Sequence, residues 1–315
     1  MSLNFDRSFQ GTPGEIVELF PGIRRVTANN PGPMTFLGTN TYILGSDPVA
    51  VVDPGPADSS HLNAIDRAIR GASVGAILVT HTHRDHTGLC APLKAATGAP
   101  LIGARRHSLA IGTPMKSLEA SEAIDESYRP DLGLEDGEEW STGDLVIEAV
   151  ATPGHTRNHL CFALKGSDLL LSGDHVMGWS TTLIAPPDGD MTTYLESLTR
   201  LSKRKEHIYL PGHGERIVDA KAHVKELFAH RMSRESEIMR VLADKSLTAG
   251  QIADAIYSEI SSPLKGAATL SVLAHLLRLE QLRKVKRLHL PVGQGSGALE
   301  PETTWQEIRW SQIEN

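Results

Sequence analysis

His81-Thr82-His83-Arg84-Asp85-His86, directly after the apolar run Ala76-Ile77-Leu78-Val79-Thr80, is the stretch on which the reading of this chain turns. Three imidazoles and one carboxylate fall within six residues, where the chain leaves a buried, strand-like run. His81 and His83 are two apart, so in an extended segment their side chains share a face. Asp85 and His86 turn toward a second point if a helix begins there. Neutral imidazole and carboxylate suit zinc, and also iron or manganese. The segment therefore predicts a grip on two metal ions side by side.

With 14 histidines in 315 residues, an isolated pair would mean little, but three more sites repeat the pattern. His155 lies in Thr152-Pro153-Gly154-His155-Thr156, Asp174 in Ser172-Gly173-Asp174, and His213 in Pro211-Gly212-His213-Gly214. Each sits beside glycine after an apolar run: Leu145 to Val150, Leu169 to Leu171, and His207 to Leu210. Four strand-end sites at one edge of a sheet make a functional site rather than a polar surface.

Hydrophobic content of 40% and charged content of 22% are those of an ordinary globular chain, one large domain or a medium one with a small companion. No apolar run approaches the roughly 18 to 20 residues that span a bilayer. Residues 1–10 have no apolar core, so neither a secretory nor a transit signal is expected, and the cytoplasm is the expected location. Cys90 and Cys161 stand in apolar surroundings and are expected to pack as small hydrophobes rather than to pair.

Val49 to Asp53 and Ala76 to Thr80 read as short buried strands. Ser59 to Arg70 between them reads as a helix with Leu62, Ile65 and Ile69 inward and Gly71 as its stop. Alternation continues to Leu210, which predicts a layered α/β domain. Periodicity fades between Gly103 and Trp140. That insert carries Arg105, Arg106, His107, Tyr128 and Arg129 and reads equally as a substrate wall or a surface loop.

Residues 218–244 form one long connecting helix in this reading, and residues 245–290 a different unit. There a helix carrying Ile252, Ala255 and Ile256 is broken at Ser261-Ser262-Pro263. A second helix runs from about Ala268 to Leu282, and Val285-Lys286-Arg287-Leu288 follows as a basic strand. Together they make a winged-helix-like module. Residues 291–315 read as a joint, Val292 to Gly297, and a tail whose Trp305 and Trp310 dock it on the body. Residues 216–290 carry 13 Lys and Arg against 8 Asp and Glu, a net +5, on a remainder of −12. Such a module is compatible with nucleic-acid contact, and equally with a solvated helical face.

His81, His83, Asp85, His86, His155, Asp174 and His213 resemble, one by one, the ligand set of the metallo-β-lactamase superfamily. Asn30-Pro31-Gly32-Pro33-Met34-Thr35 with Gly38-Thr39-Asn40-Thr41-Tyr42 is similar to the branch of β-lactamase-like protein 2, as are His230-Arg231 with Arg234-Glu235 and the C-terminal unit. The resemblance covers residues 24–288. It implies an αβ/βα sandwich over residues 1–217, with the site at one sheet edge. His81, His83 and His155 would hold one divalent ion, Asp85, His86 and His213 a second, and Asp174 would bridge them. Zinc is the first expectation, iron or manganese the alternatives. Two such ions sharing one water lower its pKa toward neutrality, and the resulting hydroxide attacks a carbonyl carbon or a phosphorus. Asp85 and Asp174 are thus the catalytic carboxylates. Asp53 resembles the family's strand-end aspartate, which supports a ligand, and as a plain residue it would cap the turn before Pro54-Gly55. His175 is a further proton-donor candidate. His159 and His61, His107, His207, His223, His230, His275 and His289 read as packed or surface histidines.

The metal set specifies hydrolysis and leaves the substrate open. Relatives in the resembled branch include an endoribonuclease acting on single-stranded RNA, which puts phosphodiester cleavage first, with Lys284, Lys286 and Arg287 as phosphate contacts. An acidic chain without a stacking platform for bases argues the other way. Thioester or other acyl hydrolysis, as in the hydroxyacylglutathione hydrolases, comes second. In a third reading the C-terminal module binds protein or a second copy of the chain. The expected partners are a small molecule or single-stranded RNA, with no membrane, and a homo-oligomer fits as well.

Overall fold

The computed structural model describes residues 5–105, 123–259, 261–288 and 305–313. Strands β1 (Ile16–Phe20), β2 (Ile23–Thr27), β3 (Asn40–Leu44) and β4 (Val49–Val52) form an antiparallel meander. Helix α1 (Ser59–Ile69) then crosses to β5 (Val74–Val79), parallel to β4. Asp58 caps α1 by accepting from the Ser60 N–H, and Arg70 ends it in a left-handed conformation, φ 59°. A single turn, α2 (Arg84–Thr87), and α3 (Cys90–Thr97) lead to β6 (Leu101–Gly103) and β7 (Leu132–Gly133), which complete a seven-stranded sheet in sequence order.

The second sheet has five strands. β8 (Glu139–Thr142), β9 (Leu145–Ala151), β10 (Leu160–Leu164) and β11 (Leu169–Gly173) are antiparallel neighbours. α4 (Met191–Leu201) then carries the chain over to β12 (Ile208–Pro211), which joins parallel to β11. Alternate residues of each strand enter different cores, as the two-residue period requires. Tyr42 and Leu44 join Phe162 and Leu171 between the sheets, while Ile43 faces outward to Ile65 and Leu93. Val150, Cys161 and Leu170 turn to α4 on the other side. Both faces are covered, which is why these strands read as unbroken apolar runs. The result is an α/β sandwich of two facing sheets with helices outside.

Helix α5 (Ala220–Val241) connects this sandwich to the C-terminal unit. Its Val224 and Leu227 pack with α4, while Ile238 enters a separate small core. That core also holds Ile252 of α6 (Ala249–Ile256), Leu273 and Leu276 of α7 (Lys265–Gln281), Val285 and Trp310. β13 (Leu247–Thr248), β14 (Val285–Leu288) and β15 (Arg309–Gln312) form its three-stranded wing, ordered β13-β15-β14. The described part of the tail, residues 305–313, thus packs on the C-terminal unit, and the joint read at Val292 to Gly297 lies outside the described residues. β15 supplies the middle strand of the wing, and Trp310 is fully buried in the C-terminal core. Pairing across a separation of more than twenty residues leaves no local trace in sequence. Cys90 and Cys161 are both free and buried. Among the described residues no helix is long and apolar enough to cross a membrane.

Candidate metal centre

The carboxyl ends of β4, β5, β9, β11 and β12 lie along one edge of the sandwich, and there they release Asp53, His81, His155, Asp174 and His213. Two sets of groups come together. Donor atoms of His81, His83, His155 and Asp174 lie within 4.8 Å of one another, and so do those of Asp85, His86 and His213. His83 Nδ1 stands 3.0 Å from His81 Nε2 and 3.1 Å from His155 Nε2. Asp174 lies between the sets: its Oδ2 is 3.3 Å from His213 Nε2 and 3.8 Å from His155 Nε2, and its Oδ1 is 3.4 Å from His86 Nε2. All seven residues picked from sequence converge on this edge.

Four of the five imidazoles are held by their outer nitrogen. His81 Nδ1 meets Thr80 Oγ1 at 3.0 Å, and His86 Nδ1 meets Asp53 Oδ2 at 2.9 Å. His155 Nδ1 donates to the Leu183 carbonyl at 2.7 Å, and His213 Nδ1 to that of Gly38 at 3.1 Å. Each anchor leaves Nε2 facing inward, the arrangement by which metal-binding histidines are oriented. Asp53 also accepts from the N–H and hydroxyl of Thr80, so one carboxylate steadies both the β5 turn and the His86 ring.

The donors fit divalent ions. His86 Nε2 and Asp174 Oδ1 are buried without a hydrogen-bond partner among the described residues. Nitrogen lone pairs 3 Å apart repel unless a cation or proton lies between them. Backbone space is reserved as well: a Cβ at Gly212 would meet Asp174 Oδ1 at 2.4 Å and His86 Cε1 at 2.7 Å. The cluster opens to solvent at His83 and Asp85, its two half-buried members.

Without cations, charge divides unevenly. Burial holds His81 well below its ordinary value, with His86 and His83 adding to it, and burial takes His83 down to about 4. At His213 burial is outweighed by Asp174 and Asp85, which push the imidazole up to about 10. His86 is raised likewise, against burial, by Asp85, Asp174 and Asp53. Asp85 and Asp174 resist the upward pull of burial because His86 and His213 hold both below the carboxylate range. The carboxylates thus favour positive charge at His86 and His213.

His175 does not join the cluster. It is fully buried, its ring lies 4.6 Å from that of Tyr194, and burial pushes it down to about 3. His159, read as a packed histidine, has a more specific task. Its Nδ1 meets Thr152 Oγ1 at 2.8 Å, and its Nε2 accepts the Asp174 N–H at 3.2 Å. His61 and His223 are also buried and hydrogen-bonded, to Thr41 Oγ1 and to the Met177 carbonyl.

Three supports escaped the sequence reading. Asn30 accepts the Thr39 N–H, and Thr39 Oγ1 donates to Asp85 at 3.2 Å. The Asn40 side chain donates to the carbonyls of Pro211 and Gly214 on either side of His213. Thr182 donates to the carbonyls of Asp174 and His175. Polar residues opening an otherwise apolar strand at 39–42 were the available signal for the first two. In the insert, Asp125 donates its N–H to the Thr82 carbonyl and Tyr128 is buried in the core, so this part braces the metal-binding turn. Arg105 pairs with Glu135 at 3.1 Å, and Arg129 bonds the carbonyls of Glu126 and Tyr128. Arg106 and His107 lie outside the described residues, as does His289.

Comparison with known proteins matches this geometry. The family model described as "Metallo-beta-lactamase superfamily" matches residues 34–213, and that described as "Beta-lactamase associated winged helix domain" matches residues 248–292. A Beta-lactamase-like protein 2 homolog of Drosophila melanogaster is 29% identical over 284 residues, 85% of this chain and 93% of the relative. An atrochrysone carboxyl ACP thioesterase of Aspergillus fumigatus is 31% identical over 242 residues, 75% of this chain and 69% of the relative. A solved beta-lactamase domain protein from Burkholderia ambifaria shares the fold, with a TM-score of 0.77 at 22% identity over 96% of each chain.

Proposed function

The chain belongs to the metallo-beta-lactamase superfamily, and from that membership we propose a dinuclear hydrolase whose substrate is an acyl thioester. His81, His83 and His155 would hold one ion, Asp85, His86 and His213 the other, and Asp174 would reach both. Two bound divalent ions, zinc first and iron or manganese as alternatives for an all-His/Asp set, would supply Lewis acidity and an activated water. Asp53, Thr80, Leu183 and Gly38 keep the ligand rings aimed. Asp85, at the open face, stays ionised and offers no proton to a leaving group.

The observation that carries the acyl reading is an exposed apolar stretch on the loop bonded to the centre. Met34 and Leu37 are 42% and 40% exposed, on the loop whose Gly38 and Thr39 bond His213 and Asp85. Phe36 of this loop stacks on Trp179 with centroids 5.0 Å apart, and Phe9 meets its edge. An acyl chain gains from such a surface, whereas a phosphate backbone does not. The leaving group agrees. A thiolate, with a pKa near 8.5 in cysteine, departs without a proton, while an alkoxide calls for an acid that His175 does not provide. The relative named as an ACP thioesterase supports the same class.

Cleavage of single-stranded RNA, first in the sequence reading, now ranks second. Arg287 is engaged by Glu280 at 2.7 Å and lies over the Trp310 ring, while Lys284 and Lys286 remain exposed. The deciding assay sets the metal-loaded protein and its Asp174→Ala variant against acyl-CoA and acyl-pantetheine thioesters, single-stranded RNA and a chromogenic phosphodiester. Thioester turnover that rises with acyl length and is lost in Asp174→Ala is expected. Turnover confined to RNA would reverse the ranking.

A further inference from the structure

A buried arginine outside the ligand set reaches the metal centre from the connecting helix. Arg231 of α5 is 2% exposed. Its Nη2 donates to the Thr182 carbonyl, and its guanidinium lies 5.4 Å from the Tyr194 ring centroid. Desolvating a guanidinium is costly, so one retained in the interior is best explained by what it holds in place. Here it holds residues 182–183. Thr182 Oγ1 donates to the Asp174 carbonyl at 2.7 Å and to that of His175 at 3.0 Å, and the next carbonyl, of Leu183, takes the His155 Nδ1 proton at 2.7 Å. Two adjacent residues thereby fix one imidazole of the first ion's set and the backbone of the bridging aspartate.

Packing extends the same clamp. Tyr194, beneath the guanidinium, leaves no room for a side chain at Gly154, where a Cβ would stand 2.4 Å from Tyr194 Cα. Asp190, the N-cap of α4, donates its N–H to the Gly154 carbonyl at 2.9 Å. The His155 loop therefore rests on α4, against the arginine. On the far side, Glu235 lies one turn along the same buried face of α5, accepts from Arg278 of α7 at 2.5 Å, and stands 3.5 Å from His275. Helix α5 is thus held by the C-terminal unit at Glu235 and touches the metal edge at Arg231.

We propose that Arg231 is a positioning residue for the His155–Asp174 side of the metal centre, acting through residues 182–183 and carried on a helix that the C-terminal unit holds in register. This rests on the dinuclear reading above and not on the choice of thioester. No comparable contact from α5 reaches Asp85, His86 or His213 among the described residues, so the effect falls chiefly on the ion of the His155 set, and the other ion feels it only through Asp174. Outer partners of metal ligands are worth about 10–100-fold in metal affinity.

The test measures zinc affinity by graded chelator competition and cobalt absorption spectra. It compares the full-length protein with Arg231→Met and Arg231→Lys, using His155→Ala and His213→Ala to identify each ion's signature. Arg231→Met should weaken the ion lost in His155→Ala by about 10–100-fold and the other by clearly less. Arg231→Lys, which keeps charge and stem, should recover part of that loss. Wild-type affinity for both ions in a folded Arg231→Met, or equal weakening of both, overturns the inference. Should Arg231→Met fail to unfold cooperatively, Arg231→Lys decides alone: selective weakening supports the role and unchanged affinity overturns it. A wild-type protein that binds no metal would instead sink the dinuclear reading itself.

Discussion

The strand-end edge of the sandwich and the C-terminal unit are both rich in charge, yet they use it in opposite ways. At the edge, charged and polar atoms converge and are buried, and His86 Nε2 and Asp174 Oδ1 face each other at 3.4 Å with no hydrogen bond to either among the described residues. In the C-terminal unit three basic groups find partners within it, while Lys284 and Lys286 stand exposed. Arg287 meets Glu280 and Trp310, Arg309 donates to the Ser246 carbonyl, and Lys265 lies 3.7 Å from Asp254. A count of +5 therefore says less about a ligand than two buried atoms without a hydrogen bond do.

The contrast breaks first at Asp174. Asp174→Ala should abolish hydrolysis, by at least about 10³-fold on the scale of losing one group that stabilises a transition state, while the C-terminal unit unfolds as before in a denaturant titration. Trp310→Ala is the converse. It should cost about 3 kcal/mol of stability, seen as an early transition in the C-terminal unit, with bound metal unchanged. Loss of metal along with that transition would show that the two regions are not separable.

Asp53→Ala should lower affinity for the ion of the His86 set by about 10–100-fold, read by chelator competition, because His86 loses the carboxylate that orients it. A cap of the Pro54-Gly55 turn alone would change only stability. Metal binding should also release protons. Carboxylates raise both His86 and His213, the latter to about 10, so without metal both rings favour a proton that a metal would have to displace. Affinity should rise with pH, about tenfold per unit for each proton released, and calorimetric enthalpy should vary with the buffer. Enthalpy independent of buffer would remove this account of the empty charge pattern. Smallest of all, Arg287→Ala should change stability by less than about 1 kcal/mol, since its pair with Glu280 is partly solvated.

Much of the centre was legible because strand ends and turns are written locally. A run of apolar residues closed by glycine locates His155, Asp174 and His213, and a two-residue spacing puts His81 and His83 on one face. The wing was half legible: β14 reads as a strand, but its partner β15 does not, since the burial of Trp310 depends on a neighbour far along the chain. His159 illustrates the same limit. Its type and spacing suggest a packed residue, and only the position of Asp174 makes it an acceptor for that residue's N–H.

Sequence by itself determined which donors this protein offers, that they leave strands at one edge, and that the apolar runs between them build a layered α/β body. Tertiary structure alone decided which nitrogen of each imidazole faces inward, that Asp174 lies between two sets, and that Arg231 reaches them from the connecting helix. The physical reason is one of range. Backbone period and turn chemistry act over a few residues, while a ring's tautomer and a buried guanidinium are set by acceptors such as Leu183, Gly38 and Thr182, which only the fold brings near.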